Sequence, residues 1–284
     1  MRKNTSFLLL VLVLVFSCKP KQNVPDRKAL NGGSTLSEIS PDSSAGISLR
    51  NEYMVLATLY QQTAGEYRAL CYQAYNIGRL MLDKDLADKT IDKHRVIVLD
   101  VDETVLDNSP FQAKCILEGT SYPVNWDEWC NLAMAGAVPG ALDFLAYAKA
   151  NGLSIYYVTN RKNHLKEVTI ANLKQLGFPD ADTDHVIMRT DENSKEPRRL
   201  GISERNHISL LFGDNLNDFS DIFEKNDNSL RNKAVDSVKK AFGQRFIVLP
   251  NAMYGDWESA IYQDRSKESD SVKFQLRRGA LRSF

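Results

Sequence analysis

The sequence predicts an α/β fold, a mostly parallel sheet with helices on both faces. Short apolar runs near 95–100, 154–158, 186–188, 208–212 and 245–249 are rich in branched and aromatic side chains, as in strands covered on both sides. Helix-length segments alternate with these runs, and that order builds parallel sheets. The third observation concerns the ends of the runs. Carboxylates, a hydroxyl and a lysine follow them directly, at the sheet edge where open α/β sheets bind ligands.

The chain opens with Arg2 and Lys3 ahead of an apolar run from Phe7 to Phe16, too short for a spanning helix and charged like an export signal. Residues 1–17 therefore read as a signal peptide. Residues 18–48, rich in Pro, Gly, Ser, Asn and charge without sustained periodicity, read as a flexible tether. The main domain is expected over 49–266, and 267–284 forms a polar, Arg-rich tail with helical character. Between Glu52 and Asp85, the positions Leu56, Leu59, Tyr67, Leu70, Ala74, Ile77 and Met81 outline helices with one apolar face. Tyr53, Tyr60, Tyr67, Tyr72 and Tyr75 crowd the same stretch and suit packing against the core or a sister subunit.

The first strand, Val96-Ile97-Val98-Leu99, delivers Asp100-Val101-Asp102-Glu103-Thr104. If extended geometry continues, the two-residue spacing points Asp100 and Asp102 the same way. One carboxylate can then attack phosphorus while the other handles a proton. Taken alone, the same pattern also suits acids that bond nearby turn N–H groups. Pro110 to Gly136 forms an insertion, a small cap near 110–136, in which Asn125 and Glu128 are spaced to cap a short helix reciprocally. Trp126 and Trp129 share a face there, and welding of cap to core is the preferred role for Trp129. The next helix starts near Pro139 and stops at Asn151-Gly152.

Ser154 to Val158 ends in Thr159-Asn160-Arg161, where a hydroxyl and turn N–H groups cradle a phosphate, or where Thr159 caps a helix from Lys162 to Leu176. After Val186-Ile187-Met188 comes Lys195, suited to phosphoryl oxygens or, in so polar a segment, to plain solvation. Ile208 to Phe212 leads into Gly213-Asp214-Asn215-Leu216-Asn217-Asp218. In combination, four acids, a hydroxyl and a lysine at successive strand ends fit a divalent cation holding a phosphoryl group. A helix from about Leu230 to Phe242 carries a solvated charge run.

Lys plus Arg and Asp plus Glu both number 36, so no basic field points to a nucleic-acid polymer. Cys71, Cys115 and Cys130, beside Cys18, are too few for a disulfide scaffold. Buried free thiols and a single Cys115 to Cys130 bridge both remain open.

Asp100 to Pro110, Tyr157 to Lys162, Lys195 to Arg198, Gly213 to Phe219 and Leu249 to Trp257 together resemble the haloacid dehalogenase-like superfamily, specifically its class C acid phosphatases of the bacterial lipoprotein e type. The resemblance runs from about Asn51 to Ile261. It implies a Rossmannoid fold with an inserted cap, added N-terminal helices and a homodimer. It further implies Asp100 as nucleophile, Asp102 as general acid and base, and Thr159, Asn160 and Lys195 as phosphate binders. Mg2+ would be held by Asp100, Asp214, the Asp102 backbone carbonyl and, through water, Asp218. Trp126 and Tyr254 would clamp the base of a nucleoside 5'-monophosphate or nicotinamide mononucleotide. Val15-Phe16-Ser17-Cys18 resembles a lipobox, a resemblance that implies Cys18 as the acylated first mature residue and anchoring in the bacterial outer membrane. Two other readings stand beside hydrolysis: phosphotransfer to an alcohol, and a surface lipoprotein that binds haem or a partner. For the second, His94, His164, His185 and His207 offer no convincing axial-ligand arrangement and read as structural.

Overall fold

A computed structural model of the protein describes residues 51–284. The expected signal peptide at 1–17, the expected tether at 18–48 and Cys18 lie outside the described residues. Helices α1 (Val55–Thr63) and α2 (Gly65–Ala87) precede strand β1 (His94–Leu99). Next, β2 (Leu106–Asp107), α3 (Ser109–Glu118), α4 (Trp126–Leu132) and β3 (Gly136–Ala137) form the insertion, closed at its base by the antiparallel β2 and β3 pair. The chain continues through α5 (Ala141–Ala150), β4 (Ser154–Lys162), α6 (Lys166–Leu176), β5 (Val186–Arg189), α7 (Glu196–Arg205) and β6 (Asn206–Gly213). It ends with α8 (Asn228–Ser237), β7 (Phe246–Val248), α9 (Asp256–Tyr262) and α10 (Asp270–Gly279). The expected polar tail is thus partly helical.

Period-two alternation along the strands builds both core layers. Ile97 and Leu99 of β1, Ile155 and Tyr157 of β4, and Phe212 of β6 join a layer with α2, α5 and α6. Val96, Val98 and Val158 face the other way, towards Ile202 of α7 and the aromatic group Phe219, Phe223, Phe242 and Phe246. Each fully buried side chain of this size contributes about 1.5–3 kcal/mol, so burial on both faces holds the sheet between its helix layers. The sheet order is β5-β4-β1-β6-β7 and every pairing in it is parallel. The carboxyl ends of β1, β4 and β6 therefore open onto one edge, beneath the cap.

Four local features differ from the sequence expectations or settle alternatives. Strand β4 runs through Lys162 because Thr159 and Arg161 continue the buried alternation and Lys162 pairs with Arg189 of β5. Helix α6 consequently begins at Lys166, so Thr159 is no N-cap. Asn125 does not make the expected reciprocal cap with Glu128. Its backbone is left-handed, φ 61°, and its side chain donates to Glu118 of α3 at 3.0 Å. Cys71, Cys115 and Cys130 are all buried free thiols. Burial pushes the Cys130 thiol up, to about 12, as suits an apolar filler. The helix expected to Phe242 breaks into α8 and a single turn at Lys239–Ala241, which frees Phe242 to pack edge-on against Phe246.

Candidate active site

The end of β1 turns sharply, and that turn places the acids. Val105 and Leu106 donate back to the Val101 carbonyl at 3.0 and 2.9 Å, while Glu103 lies in the left-handed region with φ 58°. This conformation costs a non-glycine residue on the order of 1 kcal/mol or more. The turn is held from inside: the Asn108 N–H donates to Glu103 Oε1 at 2.7 Å, and the Tyr254 hydroxyl donates to Glu103 Oε2. Burial, with Asp102 and Asp214 adding to the effect, holds the Glu103 carboxyl well above the ordinary range.

Asp100, Asp214 and Asp218 converge, each offering an oxygen within 4.8 Å of the others. Asp100 and Asp218 are buried. Lys195 is buried between them, donating to Asp100 and, at 2.6 Å, to Asp218. Burial pushes the Asp100 carboxyl up, to about 7; Lys195 pulls it down, and Asp218 and Asp102 add to the rise. Burial likewise raises Asp214 well above its ordinary value, followed by repulsion from Asp218 and Asp100. One lysine does not balance three crowded carboxylates.

The second acid loop is built for this crowding. A Cβ on Gly213 would collide with the Asp218 side chain, so glycine lets the loop fold back. Asp218 Oδ2 accepts from the Asn215 N–H at 3.0 Å, half of a capping box that fixes the turn. Asn251 donates to Asp214 at 2.8 Å, and buried Arg199 and Arg231 brace Asn217 from behind.

Asp102 faces elsewhere. Its carboxylate receives Arg161 Nε and Nη2 at 2.9 and 2.8 Å on Oδ1, and Asn108 Nδ2 on the same oxygen at 2.9 Å. Thr159 is fully buried beside it, its hydroxyl 3.4 Å from Asp102 Oδ2 and accepting from the Arg161 amide at 3.0 Å. Asn160 alternates to the exposed side, bonded to Arg198 at 2.6 Å and to the Asn193 carbonyl at 2.9 Å. The sequence reading gave roles to neither Arg161 nor Asn108. The sequence signal for Arg161 is its place two residues after Thr159, on the same face of a strand that runs on past Val158.

The cap stands over the Asp102 side. Trp126 is half-buried, edge-on to Phe111 and Tyr122 with centroids 4.9 and 5.8 Å away. Trp129 packs against the main core cluster, which welds the cap to the core as expected, and donates from Nε1 to Asn108 Oδ1 at 2.8 Å. Tyr254 is half-buried on the opposite loop. All four histidines hold structural hydrogen bonds: His94 with Ser154, His164 with Asp127, His185 with Asp182 and His207 with Asp85.

Residues 47–257 match the family described as HAD superfamily, subfamily IIIB (Acid phosphatase). Two solved structures of the class C acid phosphatase from Bacillus anthracis, one with tungstate bound, are 47% and 46% identical. Each match covers 82% of this chain and 98% of that one, with a TM-score of 0.80. Acid phosphatase 1 of Solanum lycopersicum is 25% identical over 184 residues, covering 62% of this chain. The chain spans 64% of that relative's length, less than two thirds.

Proposed function

The chain belongs to the HAD superfamily, subfamily IIIB, an enzyme family of acid phosphatases, and on that premise we propose that it is a Mg2+-dependent phosphomonoesterase working through an aspartyl phosphate. The observation that carries this reading is the cluster of Asp100, Asp214 and Asp218 around Lys195 at the carboxyl edge of the sheet. Three hard oxygen donors whose mutual repulsion is only partly relieved by one ammonium fit a divalent cation. Asp100 and Asp214 would ligate it, with the Asp102 backbone carbonyl and Asp218 through water. When bound, it would neutralise phosphoryl charge beside Lys195.

Asp100 attacks phosphorus as the ester oxygen leaves, taking a proton from Asp102. Water then attacks the aspartyl phosphate, its proton passes to Asp102, and the Asp100 carboxylate and inorganic phosphate are released. Lys195 and Thr159, with Asn160 beside it, hold the phosphoryl oxygens. The tungstate in the bacterial relative is a tetrahedral dianion like phosphate, which supports an oxyanion site. Trp126 and Tyr254 would sandwich the base of a nucleoside 5'-monophosphate or nicotinamide mononucleotide. The test is hydrolysis of AMP, GMP, nicotinamide mononucleotide and a ring-free phosphate ester, with Mg2+ or chelator, and with Asp100→Asn as control. Turnover that requires the metal and vanishes in Asp100→Asn is expected. Undiminished hydrolysis in chelator or by that variant would sink the reading.

We also propose acylation at Cys18, anchoring in the bacterial outer membrane and a homodimer. Exposed Tyr53, Leu56, Leu59, Tyr60, Leu70 and Tyr72 on α1, α2 and the turn before them support an apolar contact with a second copy. Membrane partitioning, mass spectrometry of the amino terminus and sedimentation check these three points. A soluble, unmodified monomer would contradict them.

A further inference from the structure

Arg161 is 3% exposed at the end of β4, and its guanidinium contacts reach several parts of the site. Nε and Nη2 converge on Asp102 Oδ1; Nη2 also donates to Asn108 Oδ1 at 3.2 Å, and Nη1 to Thr169 of α6 at 3.2 Å. Asn108, fully buried, adds its amide to the same Asp102 oxygen and accepts the Trp129 indole N–H through its own carbonyl. Asp102 Oδ1 therefore receives three good donors. Oδ2 has only long contacts, 3.3 Å to Arg161 Nε and 3.4 Å to Thr159 Oγ1.

This asymmetry separates the two oxygens chemically. An oxygen that already accepts three hydrogen bonds has no lone pair left to take a proton from water, whereas one with long contacts does. We infer that Arg161 and Asn108 are positioning residues that clamp Oδ1 and present Oδ2 as the proton-transferring oxygen of Asp102. The inference rests on the reading of Asp102 as general acid and base. The cap is part of the same unit: Trp129 fixes the Asn108 carbonyl, and the Arg161 guanidinium lies 5.4 Å from the centre of the Trp126 ring. A cap displaced from the core would thus release the clamp as well as the ring that Trp126 offers a substrate. Among the described residues Arg161 pairs with Asp102 and makes no ion pair with Asp100, Asp214 or Asp218.

The choice of leaving group isolates that step. A nitrophenolate departs without a proton, while the alkoxide of a nucleoside or simple alkyl phosphate needs one. Arg161→Met should lower kcat/KM, which reports departure of the leaving group and not hydrolysis of the common aspartyl phosphate, by about 100-fold or more for an alkyl phosphate but by about 10-fold or less for 4-nitrophenyl phosphate. Arg161→Lys, which keeps the charge but not the fork, should show a smaller split of the same sign. Trp129→Phe removes the indole donor while keeping an aromatic ring against the core, and should slow the alkyl ester by up to about 10-fold with little effect on the aryl ester. Asp102→Asn, run beside them, tests the underlying role. If it shows no alkyl-over-aryl split, the reading of Asp102 fails. If it shows the split while Arg161→Lys and Trp129→Phe slow both esters equally, the positioning inference fails and the acid stands. These two milder variants decide the matter if Arg161→Met does not fold.

Discussion

Asp100 and Asp102 are two residues apart and occupy opposite surroundings. Asp100 faces two further carboxylates and one lysine, in a pocket short of positive charge. The Asp102 carboxylate faces a buried arginine, an amide and a hydroxyl, with its charge already matched. The sharp turn at Val101 to Leu106 divides them. The difference teaches how, on the proposed mechanism, one short motif could serve two chemistries: the fold supplies a different partner to each side, two further carboxylates and a lysine on one, a fixed guanidinium on the other.

The comparison breaks most directly at the acids themselves. Asp100→Asn removes the attacking oxygen and should cost about 10⁴-fold or more in kcat. It should also abolish the burst of leaving group. Asp102→Asn should retain phosphate binding and cost about 10² to 10⁴-fold, in departure of the leaving group or in hydrolysis of the intermediate. Rapid-quench and steady-state measurements separate these outcomes. Equal loss of burst and turnover in both variants would erase the division of labour.

The metal side sharpens next. Loss of an outer partner alone costs about 10- to 100-fold in metal affinity, and Asp214→Asn removes a proposed direct ligand, so the Mg2+ concentration for half-maximal activity should rise at least that much. Burial raises the Asp100 carboxyl to about 7 before the cation arrives. A protonated carboxyl competes with metal, so affinity should fall as pH drops below about 7, with proton release on binding. Calorimetry in buffers of different ionisation enthalpy reads both effects. Binding that is independent of pH and releases no proton would show that neither Asp100 nor Asp214 is protonated before the cation binds.

On the cap side, Trp126→Ala and Tyr254→Ala should each cost about 1 to 3 kcal/mol in kcat/KM for nucleoside monophosphates and much less for a ring-free ester. Tyr254 also ties its hydroxyl to Glu103, behind the acid turn. Tyr254→Phe keeps the ring and loses that bond, so it should affect both substrates alike and by less. Equal losses for the alanine variants would reassign the rings to packing.

The legible parts of the molecule were those encoded locally. Short apolar runs rich in branched and aromatic side chains mark β1, β4, β5, β6 and β7, and the acids at the ends of two of them mark the cluster, because both signals lie within a few residues. What escaped required distant partners. Arg161 looks like any arginine until β4 is seen to continue past Val158, and Asn108 acquires meaning only when Trp129, 21 residues on, reaches its carbonyl. Asn125 had the right spacing for a cap, yet its left-handed backbone and its bond to Glu118 in α3 override the local pattern. Asn251 could be placed on Asp214 only by the turn after β7.

Asp85 supplies the control with the smallest expected effect. Like Asp102 it is a paired, partly buried carboxylate, receiving Arg95 at 2.9 Å, His207 at 2.8 Å and Ser209 at 2.8 Å, but it lies near the end of α2 and takes no part in the proposed chemistry. The Ser209 contact exists because β6 bulges there: Val96 pairs with Ile208 and Ile97 with Leu210, leaving Ser209 unpaired. Burial pushes the Asp85 carboxyl up, but the bonds from His207, Ser209 and Arg95 outweigh it and hold the group below its ordinary value. A carboxyl with a depressed folded-state pKa binds fewer protons folded than unfolded, so its contribution is complete above the ordinary carboxylate range and is lost as pH falls through the depressed value. Asp85→Asn should therefore lower stability by about 1 to 3 kcal/mol at neutral pH, with the deficit shrinking in acid. Because the pairing is structural only, kcat and its leaving-group dependence should stay at the wild-type level. Denaturant melts at neutral and acid pH, beside the two-ester assay, read both quantities. A split between alkyl and aryl esters in this variant would mean that loosening any paired carboxylate disturbs the proton step, and Asp102 would lose its distinction.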